Sequence, residues 1–109
     1  MMIARRDTPE GTVLTVEAAR IDAAGAVAFK DAFRERTAEG EGPVILDLGA
    51  VEFVDSSGLG AVVAAMKMLA PARRLDLADL RPAVDKLFRL TRMDQIFTIL
   101  PQAPASAGG

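Results

Sequence analysis

The chain has 109 residues, half of them hydrophobic and 26% charged, with a formal net charge of −2. That is the composition of one globular domain, large enough to build a core without metal or disulfide staples. With no cysteine or histidine, a disulfide framework, a thiolate or imidazole metal site and a Ser-His-Asp triad are all excluded, and the mildly acidic balance argues against a nucleic-acid partner.

Tyr and Trp are also missing, and the five phenylalanines (Phe29, Phe33, Phe53, Phe88, Phe97) fall in apolar patterns that read as core. Carboxylates are scattered and no general acid–base pair stands out, so neither an enzyme nor a cofactor is expected. Met1 to Arg6 lacks the apolar stretch of a secretory signal. The longest apolar run, Leu59 to Ala70, is broken by Lys67 and is too short to span a bilayer. The expectation is a cytoplasmic domain with no direct membrane insertion.

In chain order, Met2 to Ala4 reads as a short edge strand and Asp7-Thr8-Pro9-Glu10-Gly11 as a turn. Thr12 to Glu17 alternates and is rich in β-branched residues, which predicts a strand. Asp22 is the expected N-cap of a helix over Ala23–Ala38, with Phe29 and Phe33 on its core face. Gly40-Glu41-Gly42-Pro43 ends that unit. Val44–Leu48 is short, β-branched and bounded by Gly42-Pro43 and Gly49, so it reads as a buried strand completing a βαβ unit. A second short apolar run, Val51–Val54, leads into Asp55-Ser56-Ser57-Gly58-Leu59-Gly60. Beyond it Leu59, Val62, Val63, Met66 and Leu69 recur at helical steps until Pro71 stops them. Leu75-Asp76-Leu77 predicts another strand, and Pro82–Leu90 a helix with Val84, Leu87 and Phe88 on its apolar face. Arg81, Lys86, Arg89 and Arg92 form a modest basic cluster there, read as a solvated surface. Met93–Leu100 reads as a turn and then a short final strand or extended segment. Pro101–Gly109 is small and Pro- and Gly-containing, a flexible tail beyond a single domain over residues 1–100.

The seam between the second apolar run and the helix after it is where function is expected. The opening N–H groups of a helix lack partners, and either Asp55 or Ser56 can cap them. Gly58 and Gly60 lie in the first turn, where small residues let another backbone or a ligand come close. On spacing alone, a capped helix with glycines for packing accounts for these residues as well as a modified hydroxyl does. A phosphoryl group there would add about −1.5 to −2 charge at pH 7. It would meet like charge at Asp55 and partial compensation from the helix N-terminus.

Val54-Asp55-Ser56-Ser57-Gly58-Leu59-Gly60, preceded by the strand Val44–Leu48, resembles the signature of STAS domains. The likeness is greatest to the stand-alone anti-sigma factor antagonists of bacterial partner-switching systems. It covers Val13 to Leu100, but only the motif is specific. The resemblance implies an α/β fold: a single STAS-like domain with a mixed four- or five-stranded sheet packed against helices. It implies that Ser56, directly after Asp55, is phosphorylated by an anti-sigma factor that is itself a serine kinase. Asp55, Ser56, Ser57, Gly58, Leu59 and Gly60 would form the partner-binding surface, and a PP2C-type phosphatase would reset the switch. Two departures stand out. The family's glycine-rich turn before the next strand is here Ala70-Pro71-Ala72-Arg73-Arg74, and no periodic segment is left for a C-terminal helix. STAS-like domains also serve as assembly subunits of lipid-transport or other membrane-associated complexes, an alternative of a different class. Gly58–Gly60 as a nucleotide phosphate site is a weaker reading, because the lysine of a P-loop is missing.

Overall fold

In the computed structural model, which describes residues 1–105, the chain opens with a hairpin. Strands β1 (Ile3–Thr8) and β2 (Gly11–Val16) pair antiparallel around Pro9-Glu10, with Ile3 opposite Val16 and Thr8 opposite Gly11. β1 runs well past the Met2–Ala4 strand that composition predicts. It lies at the sheet edge, where charged side chains are tolerated. Arg5 uses that position to donate to the carbonyls of Arg36 and Glu39, each at 2.8 Å.

The remaining elements are β3 (Arg20–Ile21), α1 (Ala26–Arg36), β4 (Val44–Asp47), β5 (Phe53–Val54), α2 (Ser56–Leu69), β6 (Leu75–Ala78), α3 (Pro82–Leu90), a single 3-10 turn at Met93–Gln95, and β7 (Ile99–Leu100). The main sheet has five strands in the order β1-β2-β4-β6-β7, parallel except for the hairpin pair. It is the mixed α/β layer expected. A second, two-stranded parallel sheet, β3 with β5, was not anticipated, because two residues are too few to show a period.

One helix start also differs. Gly25, not Asp22, precedes α1, and the helix begins at Ala26 rather than Ala23. The Asp22 carboxylate is engaged earlier: Oδ1 accepts from the Gly25 N–H at 3.2 Å, closing a turn, and Oδ2 pairs with Arg20 Nε at 3.0 Å. The departure at Ala70–Pro71 takes the form of a cis peptide bond.

Alternation along each strand sorts side chains to two faces. Leu14, Val16, Val44, Leu46, Leu75 and Leu77 join the helices in one core. α1 contributes Phe29 and Phe33, with ring centroids 6.0 Å apart, and Phe88 of α3 meets Phe97 edge-on at 6.3 Å. On the other face Val13, Ile45 and Ala78 form a smaller cluster, covered by Leu100 and Ala103. There the Ala103 N–H donates to Asp79 Oδ2 at 2.8 Å. The segment expected to be a flexible tail runs on through residues 106–109, which lie outside the described residues. No helix among the described residues is long and apolar enough to cross a membrane.

Candidate functional site

β3 and β5 bring the loop after β2 alongside the start of α2, and Asp55 joins the two. Its backbone is extended (φ −97°, ψ −174°), and its carbonyl accepts the Leu59 N–H at 2.8 Å. The carboxylate takes two donors: Oδ1 accepts from Gly58 N–H at 2.8 Å, and Oδ2 from Ala23 N–H at 3.2 Å. Of the two candidate caps, Asp55 is therefore the one used. An anionic acceptor at the positive end of the helix is favoured over a neutral hydroxyl. Ser56 is left free. It and Ser57 occupy the first two helical positions, both exposed, and neither hydroxyl makes a hydrogen bond among the described residues.

The two motif glycines have opposite surroundings. A Cβ on Gly58 would sit 1.8 Å from the Ile21 carbonyl oxygen and 3.1 Å from Val54 Cγ1. One on Gly60 would meet nothing within 4 Å. Gly58 thus lets β3 press against the first turn of α2, whereas Gly60 lies on open surface. Leu59 is half-buried and packs on the core. Of the six residues expected to meet a partner, Ser56, Ser57 and Gly60 are exposed, Asp55 and Leu59 half-buried, and Gly58 buried. Gly58 is buried because the β3 backbone lies over it.

The structure adds three residues that the motif does not contain. Phe53, read as core, is 42% exposed, because in β5 it is Val54 that turns inward. Arg20 lies opposite it in the β3–β5 register, with its guanidinium carbon 4.3 Å from the ring centroid. The same guanidinium, hydrogen-bonded to Asp22, holds that carboxyl below its usual range, with help from the Gly25 N–H. Next to Phe53 a groove of about 180 Å³ is lined by Glu52, Val54, Ala83, Val84 and Leu87. Two residues are too few to show alternation, so no signal in the sequence marks Phe53 as outward.

Asp55→Ala should destabilise the domain by about 2 kcal/mol, from the lost cap and the orphaned Ala23 N–H. That corresponds to a fall of about 10 °C in thermal midpoint for a domain of this size. Asp55→Asn, which keeps an acceptor oxygen, should lose less than half as much. A midpoint for Asp55→Ala equal to that of the parent would show that the clamp contributes nothing.

Chemically, the site offers two free hydroxyls at a helix start, on Ser56 and Ser57, beside first-turn N–H groups that favour an anion. The family model described as Mlab, STAS domain, matches residues 3–101. BtrV of Bordetella bronchiseptica, described as an anti-sigma factor antagonist, is 26% identical over 102 residues, 93% of this chain and 88% of BtrV. A crystal structure of an anti-sigma factor antagonist from Mycobacterium paratuberculosis has a TM-score of 0.80 and 27% identity, covering 93% of this chain and 86% of that one. Unphosphorylated SpoIIAA has a TM-score of 0.66 at 17% identity, over 90% of this chain and 87% of SpoIIAA. The phosphorylated form, from Bacillus, has a TM-score of 0.59 at 17% identity, covering 90% of each chain. At that identity SpoIIAA speaks for the fold alone. With a family model spanning nearly its whole length, a matching fold and the Asp-Ser-Ser-Gly-Leu-Gly turn in place, the chain belongs to the STAS domain family.

Proposed function

We propose that this chain is a phosphorylation-controlled anti-sigma factor antagonist. Unmodified, the surface around Ser56 binds an anti-sigma factor serine kinase. Phosphorylated at Ser56 by that kinase, the chain is released, and a PP2C-type phosphatase restores it. The observation that carries the reading is the division of labour at the seam. Asp55 takes the cap, so the Ser56 hydroxyl stays exposed and without a hydrogen bond among the described residues. A phosphoryl group can then be added without dismantling the helix start. The substrate hydroxyl is this chain's contribution, and the kinase supplies nucleotide and catalysis. Similarity to BtrV and to the mycobacterial antagonist supports the partner class.

The test is incubation with an anti-sigma factor serine kinase and ATP, followed by mass mapping. A single phosphoryl group on Ser56, absent from Ser56→Ala, is the expected result. Modification confined to Ser57, or none while the complex still forms, would overturn it. A second reading rests on the small exposed residues Ser56, Ser57 and Gly60, which would also let a partner helix pack closely with no chemistry at all. In that case the chain is an assembly subunit of a lipid-transport or other membrane-associated complex. Co-purification with an ATPase subunit, and no phosphate on Ser56, would select it.

A further inference from the structure

We propose that the outward face of α3, together with Phe53 of β5, docks a second copy of this chain in a weak, symmetric dimer. One wall of the docking surface is a helix stripe. Residues three and four apart share a helix face, so Ala83, Leu87 and Leu90 line up along α3 beside the core-facing Val84 and Phe88. Ala83 is exposed, Leu87 half-buried and Leu90 72% exposed. The apolar surface of α3 therefore runs past what the core needs and out into solvent.

β5 provides the other wall. Phe53 lines the groove together with Ala83 and Leu87, and Arg20 stands over its ring from the β3 side. Attraction between the guanidinium and the ring favours this outward position, which otherwise leaves an apolar side chain in water. Contiguous apolar surface of this kind marks an interaction site rather than a scatter of single exposed residues.

Charge says what covers it. Glu52 rims the β5 wall, and Lys86 rims the α3 wall on the side of the stripe away from Val84. Both are exposed, and neither joins an ion pair among the described residues. An anion on one rim and a cation on the other make the strip self-complementary. A symmetry axis through the groove exchanges the rims, so Glu52 of each copy meets Lys86 of the other while the apolar strips face one another. A surface matched to a strongly acidic or basic partner would carry one sign instead. Four apolar side chains on each copy fall well short of the about 20–30 residues of a standard interface, which makes the dimer reversible.

Sedimentation equilibrium of the full chain tests this. Between about 5 and 500 µM the average mass should climb from one chain toward two, with a Kd on the order of 50 µM. Leu90→Glu, at a position the fold leaves in solvent, should weaken the dimer by about tenfold or more. Lys86→Glu sets like charges together at both rims and should weaken it about fivefold. Adding Glu52→Lys to that variant restores opposite charges and should return the Kd to within about twofold of the parent. Val27→Glu, at a similarly exposed apolar position on α1, should change nothing. A mass of one chain at every concentration overturns the proposal. So does a dimer that Leu90→Glu leaves intact, or a charge-reversed double variant no tighter than Lys86→Glu alone. Should Leu90→Glu fail to fold by circular dichroism, the parent's mass curve and the charge reversal decide.

Discussion

Gly58→Ala should lower the thermal midpoint by about 10–20 °C, the equivalent of about 2–3 kcal/mol of overpacking in a domain of this size. The added methyl would lie 1.8 Å from the Ile21 oxygen and 2.6 Å from its carbonyl carbon. Both are backbone atoms, so no side chain can swing aside to relieve the clash. Either β3 retreats or the first turn of α2 does. Each movement strains the same set of bonds: Asp55 N–H to the Ile21 carbonyl at 3.4 Å, the β3–β5 pairing, and Asp55 to Ala23. Gly60→Ala is the control. Its methyl meets nothing, and removing a glycine from a helix interior should stabilise by about 0.5–1 kcal/mol. Thermal unfolding of the two variants should therefore move in opposite directions. A Gly58→Ala midpoint level with the parent would mean that β3 does not lie against α2 in solution.

The second large effect belongs to binding and rests on the proposed antagonist function. Ser56→Asp should weaken the complex with the anti-sigma factor kinase by about thirty- to a thousandfold, and full phosphorylation by at least as much. A loss of about 2–4 kcal/mol from desolvating and repelling an anion at the interface is sufficient. The fold itself should be indifferent. Ser56 is exposed at the first position of α2, where an acidic group is mildly stabilising. Thermal midpoint and binding should thus separate cleanly, and Ser56→Ala should bind as tightly as the parent while resisting release by ATP. Calorimetric titration of the kinase with both variants decides the matter. Equal affinities for Ser56→Asp and Ser56→Ala would end the idea of a charge switch at this residue.

Elements with their own periodicity were legible before any coordinates. Val44–Asp47 announced a buried strand through the β-branched and aliphatic residues Val44, Ile45 and Leu46, and Pro82 marked the start of α3, where it stands in the first turn. The helical spacing after the Asp-Ser-Ser-Gly motif matched α2 through Leu69. Each of these signals acts within a few residues along the chain. Others failed for a physical reason. Asp22 looked like a cap, yet its carboxylate is drawn to Arg20 and the Gly25 turn, and α1 starts later. Phe53 looked like core by composition, but β5 turns Val54 inward instead.

By itself, then, the sequence determined the α/β alternation, the family motif and the hydroxyl on which the functional proposal rests. Only the tertiary structure decided which residue caps α2, which glycine is squeezed and which is bare, and which aromatic faces solvent. Those outcomes depend on β3 lying against β5 and on the Ile21 carbonyl reaching Gly58, contacts between segments far apart in the chain. Propensity and periodicity are properties of neighbours along a chain. Burial and close approach are properties of neighbours in space, and two-residue strands such as β3 and β5 acquire their conformation only from the second kind.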